Sequence, residues 1–385
     1  MSHPVYLDNA ATTCIDQRVL DEMIPYLQRH FGNPSSVYSL GRQTKAAVEN
    51  ARKSVARLLG VKPNTIYFTS GGTESNNTAI SAAIHDLSCT HIITSPIEHH
   101  AVLHTVNHYC SRVGVSSSFV KLTDAGEVDY VDLENQLYIK TAEGKKCLVS
   151  LMHGNNEIGS LLDMVLTGDI CRRYNAIFHS DCVQTIGHYP LNLSESGVHF
   201  ASASGHKFHG PKGCGILFIS EKAAKSGALI HGGSQERNMR AGTENVYGIV
   251  GFSKALEIAM NDYAKDSAYI NTLNLLMRDE LKKAIPFLIV NNPSNSLYTV
   301  LSVGFPDTDK RDMLVSLFDM KGICVSGGSA CSSGDKAGSH VIRALERAGD
   351  FATIRFSFSK YNTVPEVLAA VDAAKAIFTN TAYAT

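Results

Sequence analysis

A chain of 385 residues can hold one large domain and a smaller one, each with its own core. Hydrophobic residues make up 44% and charged residues 18%, the balance of an ordinary soluble globular protein. The 35 basic and 36 acidic side chains nearly cancel, so the chain offers no basic field for nucleic acid and no polybasic stretch for a membrane surface.

The opening Met1-Ser2-His3-Pro4-Val5-Tyr6 has neither a basic stretch nor an apolar run, which argues against a secretory signal. The longest apolar runs, such as Gly215 to Ile219, are strand-sized. A cytosolic location is the expectation. Short β-rich runs then alternate with helix-length segments. Thr65–Thr69 reads as a buried strand and Glu74–His85 as a helix; His91–Thr94 and Ala101–Arg112 repeat the pair. Cys147–Met152 precedes a helical stretch ending near Tyr174, and Ala176–Asp181 follows. Ala201–Ser204 and Gly215–Ile219 continue the sheet in a direction the sequence leaves open. This rhythm predicts an α/β protein whose central sheet is mostly parallel and covered by helices. A long helical pattern through Ala255, Leu256, Ile258 and Ala259 leads into a mixed segment, with strands expected at Tyr298–Val303 and Thr353–Ser357. The expected division is a large domain over 15–260 and a smaller α/β domain from 1–14 and 261–385. The run Ser326 to Gly334 is too rich in Gly and Ser to bury a core and is expected to be a mobile loop.

Nine cysteines, at 14, 89, 110, 147, 171, 182, 214, 324 and 331, contain no Cys-x-x-Cys pair and form no disulfide framework. Most are expected to be small buried hydrophobes. His100, His104 and His108 recur at near-helical spacing and are read as polar helix positions rather than metal ligands.

Three features carry chemistry. Thr69-Ser70-Gly71-Gly72-Thr73-Glu74 lies at a strand-to-helix turn, where glycines let an anion approach the free N–H groups of a new helix. It fits neither Walker A nor Gly-x-Gly-x-x-Gly, and such turns often bind nothing. Asp181 ends a strand on the side of a parallel sheet where ligands sit. There it can meet a cation such as the pyridinium of pyridoxal phosphate, or equally cap the next helix. Lys207, flanked by Ser204 and His206, can form a Schiff base if partly desolvated, although a lone lysine is by default a surface residue. The order of these features matches a fold-type I pyridoxal-phosphate site.

At this point the sequence resembles the cysteine desulfurases of the NifS/IscS type, within the class V aminotransferase family. The resemblance runs through Tyr6-Leu7-Asp8-Asn9-Ala10-Ala11-Thr12-Thr13, Gly32-Asn33-Pro34-Ser35-Ser36, Thr69 to Asn77 and Glu98-His99. It continues through Asn155 to Gly159, Ser204-Gly205-His206-Lys207, Arg240-Ala241-Gly242-Thr243, Ser329-Ala330-Cys331-Ser332-Ser333 and Ile354-Arg355-Phe356-Ser357. It implies a fold-type I transferase that uses pyridoxal 5'-phosphate. Lys207 would be the Schiff-base lysine, Asp181 the partner of the pyridine nitrogen, and His99 the residue stacked on the ring and a proton carrier. Gln184 and Asn156 would bond near the phenolic oxygen and the substrate. Gly72, Thr73, Ser204 and His206 would hold the phosphate, joined by Thr243 from the neighbouring subunit of a homodimer. Arg355 would clamp the carboxylate of L-cysteine, with Asn156 and Asn33 also at the substrate. Cys331 would take the sulfur as a persulfide and pass it to an acceptor protein, for iron–sulfur cluster assembly or thiolation. Selenocysteine cleavage, transamination and a non-enzymatic sulfur carrier are the rival readings; the Cys331 block argues against transamination. Cys14 stands where the family usually has proline, and Lys336 to His340 departs from the commoner acidic-proline version.

Overall fold

The computed structural model describes residues 4–223, 227–306, 311–327, 339–345 and 351–379. The chain opens with β1 (Val5–Tyr6), α1 (Gln17–Gln28) and α2 (Ser39–Leu58). Then come β2 (Ile66–Thr69), α3 (Gly72–His85), β3 (His91–Thr94), α4 (His100–Val113), β4 (Ser116–Phe119) and α5 (Tyr130–Ala142). The alternation continues with β5 (Cys147–Ser150), α6 (Met164–Arg173), β6 (Ile177–Asp181), β7 (Phe200–Ser204) and β8 (Gly215–Ile219). The rest comprises α7 (Val246–Asn261), α8 (Tyr263–Ala284), β9 (Ile289–Val290), β10 (Val300–Pro306), α9 (Leu314–Asp319), β11 (Ile323–Cys324), α10 (His340–Ala344), β12 (Phe351–Ser357) and α11 (Val364–Thr379).

Seven strands form the main sheet, in the order β2-β8-β7-β6-β5-β3-β4. Every neighbouring pair is parallel except the two that involve β8, which runs antiparallel to both β2 and β7. Strands β3, β5, β6, β7 and β8 are buried along their whole length, as expected for a sheet with helices on both faces. The polar strand Ser116-Ser117-Ser118-Phe119 is an edge strand held by backbone pairing to β3. Its lack of apolar alternation hides it from a sequence reading. The mostly parallel α/β architecture expected from the sequence is the one observed.

The apolar interior falls into several clusters. The largest packs Val19, Val55, Phe68, Val149, Phe178, Phe208 and Phe252 around the seven-stranded sheet. A second gathers Leu7 with Leu273, Met277, Phe305, Phe318, Phe356 and Val371 around the three-stranded sheet β12-β10-β9. The N-terminal strand joins this second group: β1 pairs with β11, and Asp8 bridges to Ser357. Leu7, fully buried, drives the placement. Residues 8–13 then cross back to the main sheet, where Thr13 N and Oγ1 both donate to the His206 carbonyl at 2.9 Å. Of the cysteines, Cys89, Cys147, Cys171, Cys182 and Cys214 are buried, whereas Cys14 is exposed. No helix among the described residues is long and apolar enough to cross a membrane.

Candidate active site

The carboxyl ends of β2, β5, β6 and β7 converge, as they must in a parallel sheet, and the turns beyond them line a cavity of about 280 Å³. Gly72, Thr73, His99, Asn156, Asp181, Gln184, Ser204, His206, Lys207 and Arg355 all line it. Ten of the residues singled out from the sequence therefore share one chamber. Asn33 and Thr243 are exposed and do not line it in the single chain. Cys331 lies outside the described residues, as does the 328–334 part of the segment expected to be a loop.

Helix α3 opens at Gly72 rather than at Glu74, two residues earlier than the sequence pattern suggests. A Cβ at Gly72 would come within 2.5 Å of Val183 Cγ2, and Gly71 adopts φ +149. The turn is thus built for glycine, and its bare backbone faces the cavity with no side-chain cap on the helix. Glu74 braces it from behind by accepting from Ser70 N at 2.8 Å and pairing with Arg240 at 3.0 Å. An anion seated here meets helix N–H groups together with Thr73, Ser204 and His206.

Lys207 follows β7 in a short 3-10 turn, Gly205–Lys207. Its Nζ donates to the carbonyls of Ala10 at 2.6 Å and Ala11 at 2.9 Å. His188 Nε2 donates to the Lys207 carbonyl at 2.9 Å, and Gln184 Nε2 donates to Ala10 at 3.0 Å. The lysine is therefore aimed across the cavity from a braced backbone. Asp181 closes β6 and accepts from Asn76 Nδ2 at 2.6 Å and from Val183 N at 3.0 Å. His99 caps α4: its Nδ1 accepts from Ala101 N at 3.1 Å. The ring's proton accordingly sits on Nε2, and burial lowers the imidazole pKa.

The opposite wall is made by β12. Arg355 is almost wholly buried; its Nη2 donates to Asp8 at 2.6 Å and its Nη1 to the Asn156 carbonyl at 2.9 Å. Its Nε is buried and has no hydrogen-bond partner among the described residues. Asn155, inside the Asn-Asn-Glu motif, receives the N–H groups of Glu157 and Ile158 at 2.8 Å each and so shapes the turn that carries Asn156. Two further carboxyls are buried beside the chamber. Glu98 accepts from Met152 N and Ser95 Oγ, and burial pushes its pKa up to about 8. Glu157 accepts from Ser339 Oγ, and burial again raises its pKa.

Sequence reasoning assigned no role to Asp8, Asn76, Glu157, His100 or His340, although the last four line the cavity. Asp8 and Asn76 stood inside matched blocks, where their chemistry was visible but their direction was not. His100 and His340 face each other with ring centroids 4.7 Å apart, a pairing between distant segments.

The class-V aminotransferase family model matches residues 5–369. The chain belongs to that family. Among its relatives are a cysteine desulfurase IscS of Dictyoglomus turgidum, 43% identical over 94% of this chain and 91% of its own length, and one of Methanosarcina thermophila, 40% identical over 94% and 89%. A solved NifS-like protein superposes with a TM-score of 0.89 at 37% identity, covering 98% of this chain and 100% of the other. SspA in complex with cysteine superposes with 0.79 at 29% identity, covering 93% and 99%.

Proposed function

We propose that this protein is a pyridoxal-phosphate-dependent cysteine desulfurase that converts L-cysteine to L-alanine and receives the sulfur as a persulfide on Cys331. The observation that carries the reading is the meeting of Lys207, Asp181, His99, the Gly72–Thr73 turn and Arg355 in one cavity. The relatives named as cysteine desulfurases support it over nearly the full chain.

The residues fit the cofactor. The glycine turn brings an uncapped helix N-terminus to the cavity wall for a phosphate, with Thr73, Ser204 and His206 around it. Asp181, held by neutral donors, is a carboxylate available to a ring nitrogen, and His99 stands ready to cover a ring face. When bound, pyridoxal phosphate supplies an electron sink that labilises bonds at the α and β carbons of an amino acid. Lys207 would anchor it, and its amine would move the α-proton of the substrate. Arg355 binds the substrate carboxylate, and Asn156 and Gln184 fix the polar groups beside it. His99 exchanges a proton through Nε2, because Nδ1 is engaged with the helix cap. The Cys331 thiolate attacks the substrate sulfur. A sulfur–sulfur bond forms, the carbon–sulfur bond breaks, the electron pair stays with carbon, and a proton completes the methyl group of alanine.

On the same footing we propose the large domain as 15–260 and the smaller one as 1–14 with 261–385; the separate apolar clusters support that division. Exposed Phe31, Val37 and Tyr38 beside Asn33 support a homodimer in which Thr243 enters the partner's site. The sulfur acceptor is proposed to be a protein of iron–sulfur assembly or thiolation, and the location cytosolic. The test is Cys331→Ser: the variant should keep the cofactor's visible absorbance and lose sulfide production from L-cysteine with a thiol reductant. Full turnover without Cys331, or alanine formation that requires an α-keto acid, would overturn the reading.

A further inference from the structure

Among the described residues Asp181 receives no hydrogen bond from a cationic side chain; its donors there are an amide and a backbone N–H. An asparagine can present either end of its amide, so something must decide which end of Asn76 meets the carboxylate. Its Oδ1 answers that. Ser202 Oγ donates to it at 2.5 Å, and His179 Nε2 lies 3.2 Å away. The oxygen can only accept, so Nε2 of His179 carries the ring proton and Nδ1 accepts from Ser150 Oγ at 2.8 Å. Reversing Asn76 would set its oxygen against the Asp181 carboxylate and its NH2 against the Nε2–H of His179, whereas the Ser202 hydroxyl, 3.3 Å from that Nε2, can donate or accept.

The arrangement follows from strand register. Ser150 pairs with His179 across β5 and β6, and Asp181 pairs with Ser202 across β6 and β7. His179 and Asp181 are two residues apart on one strand, so both side chains project from the same face of the sheet. Helix α3 lays Asn76 over that face. Ser150, His179 and Ser202 are fully buried, and Asn76 nearly so. Burial holds the His179 pKa down to about 4, so the ring stays neutral and adds no charge beneath Asp181.

We propose that His179 is a positioning residue for the cofactor. Through Nε2–H it locks the amide of Asn76 with its donor end on Asp181, and so sets how strongly Asp181 holds the ring nitrogen of pyridoxal phosphate. This rests on the cofactor assignment above.

The experiment strips the purified protein of cofactor and titrates it back with pyridoxal phosphate, followed by visible absorbance, with circular dichroism verifying the fold. His179→Phe keeps the ring's size and removes both nitrogens; its dissociation constant for the cofactor should rise about tenfold. His179→Gln, which restores an N–H donor, should stay within about threefold of wild type. Ser150→Ala, the milder change, should weaken binding about threefold and carries the test if His179→Phe does not fold. Wild-type affinity in His179→Phe, or equal losses in the Phe and Gln variants, overturns the proposal, because packing alone would then explain the histidine. A wild-type protein that takes up no pyridoxal phosphate fails at the earlier step and removes the cofactor assignment itself.

Discussion

The two walls of the cavity hold their charged groups by opposite means. On the sheet side, Asp181 is steadied by an amide and a backbone N–H over a fully buried polar network. On the β12 side, Arg355 is steadied by a direct ion pair with Asp8 and by one carbonyl. The sheet wall leaves a carboxyl group to which, among the described residues, no cationic side chain is hydrogen-bonded, suited to a group that stays. The β12 wall leaves a guanidinium already balanced but with Nε unpartnered among the described residues, suited to a carboxylate that comes and goes. Permanent and transient ligands thus call for different electrostatic settings within one chamber.

This contrast can be broken in three ways. The largest effect should come from Arg355→Lys, which replaces a fork by a point charge. The kcat/KM for L-cysteine is expected to fall about 100-fold, mostly through KM, and steady-state kinetics would check it; an unchanged KM would move the carboxylate site elsewhere. A smaller effect separates charge from orientation at Asp8. Asp8→Ala should raise KM about tenfold with kcat nearly constant, whereas Asp8→Asn, which keeps an oxygen for Nη2, should remain within about threefold. Equal losses would show that Asp8 acts by charge and not by placement.

The smallest effect is on stability. Burial holds His153, His179 and His209 at about 4, against 6.5 for an exposed imidazole. Between those values the unfolded chain binds more protons, so stability is full above about pH 6.5 and declines as pH falls toward 4. Glu98, pushed up to about 8, works the other way, and its contribution is lost as pH rises from 4.5 through 8. With several histidines against Glu98 and Glu157, whose pKa burial also raises, the urea midpoint should climb from pH 4.5 to about 6.5 and then sag slightly toward 8. A midpoint flat from pH 4.5 to 6.5 would mean these imidazoles titrate normally.

Much of this was legible in the sequence because the main sheet is buried on both faces, and runs such as Cys147–Val149 and Gly215–Ile219 have to be apolar there. Strand β4 was not legible, since three serines on an edge carry no hydrophobic period. The reversal of β8 was likewise hidden, as a buried strand reads the same in either direction. At the site, Lys207, Asp181 and Thr73 announced themselves through local turns. His179 did not: it looks like any polar residue in a strand until Ser150, Asn76 and Ser202 are brought around it from three other elements. Asp8 stayed unread for a similar reason, because its partner is 347 positions away.

One measurement bears most directly on the chamber as a cofactor site. The protein with bound pyridoxal phosphate is reduced with borohydride, digested, and its peptides are mapped by mass spectrometry. The label is expected on Lys207, in a single peptide. A label on Lys212 or another lysine, or no label on a protein that still yields alanine from L-cysteine, would contradict the account.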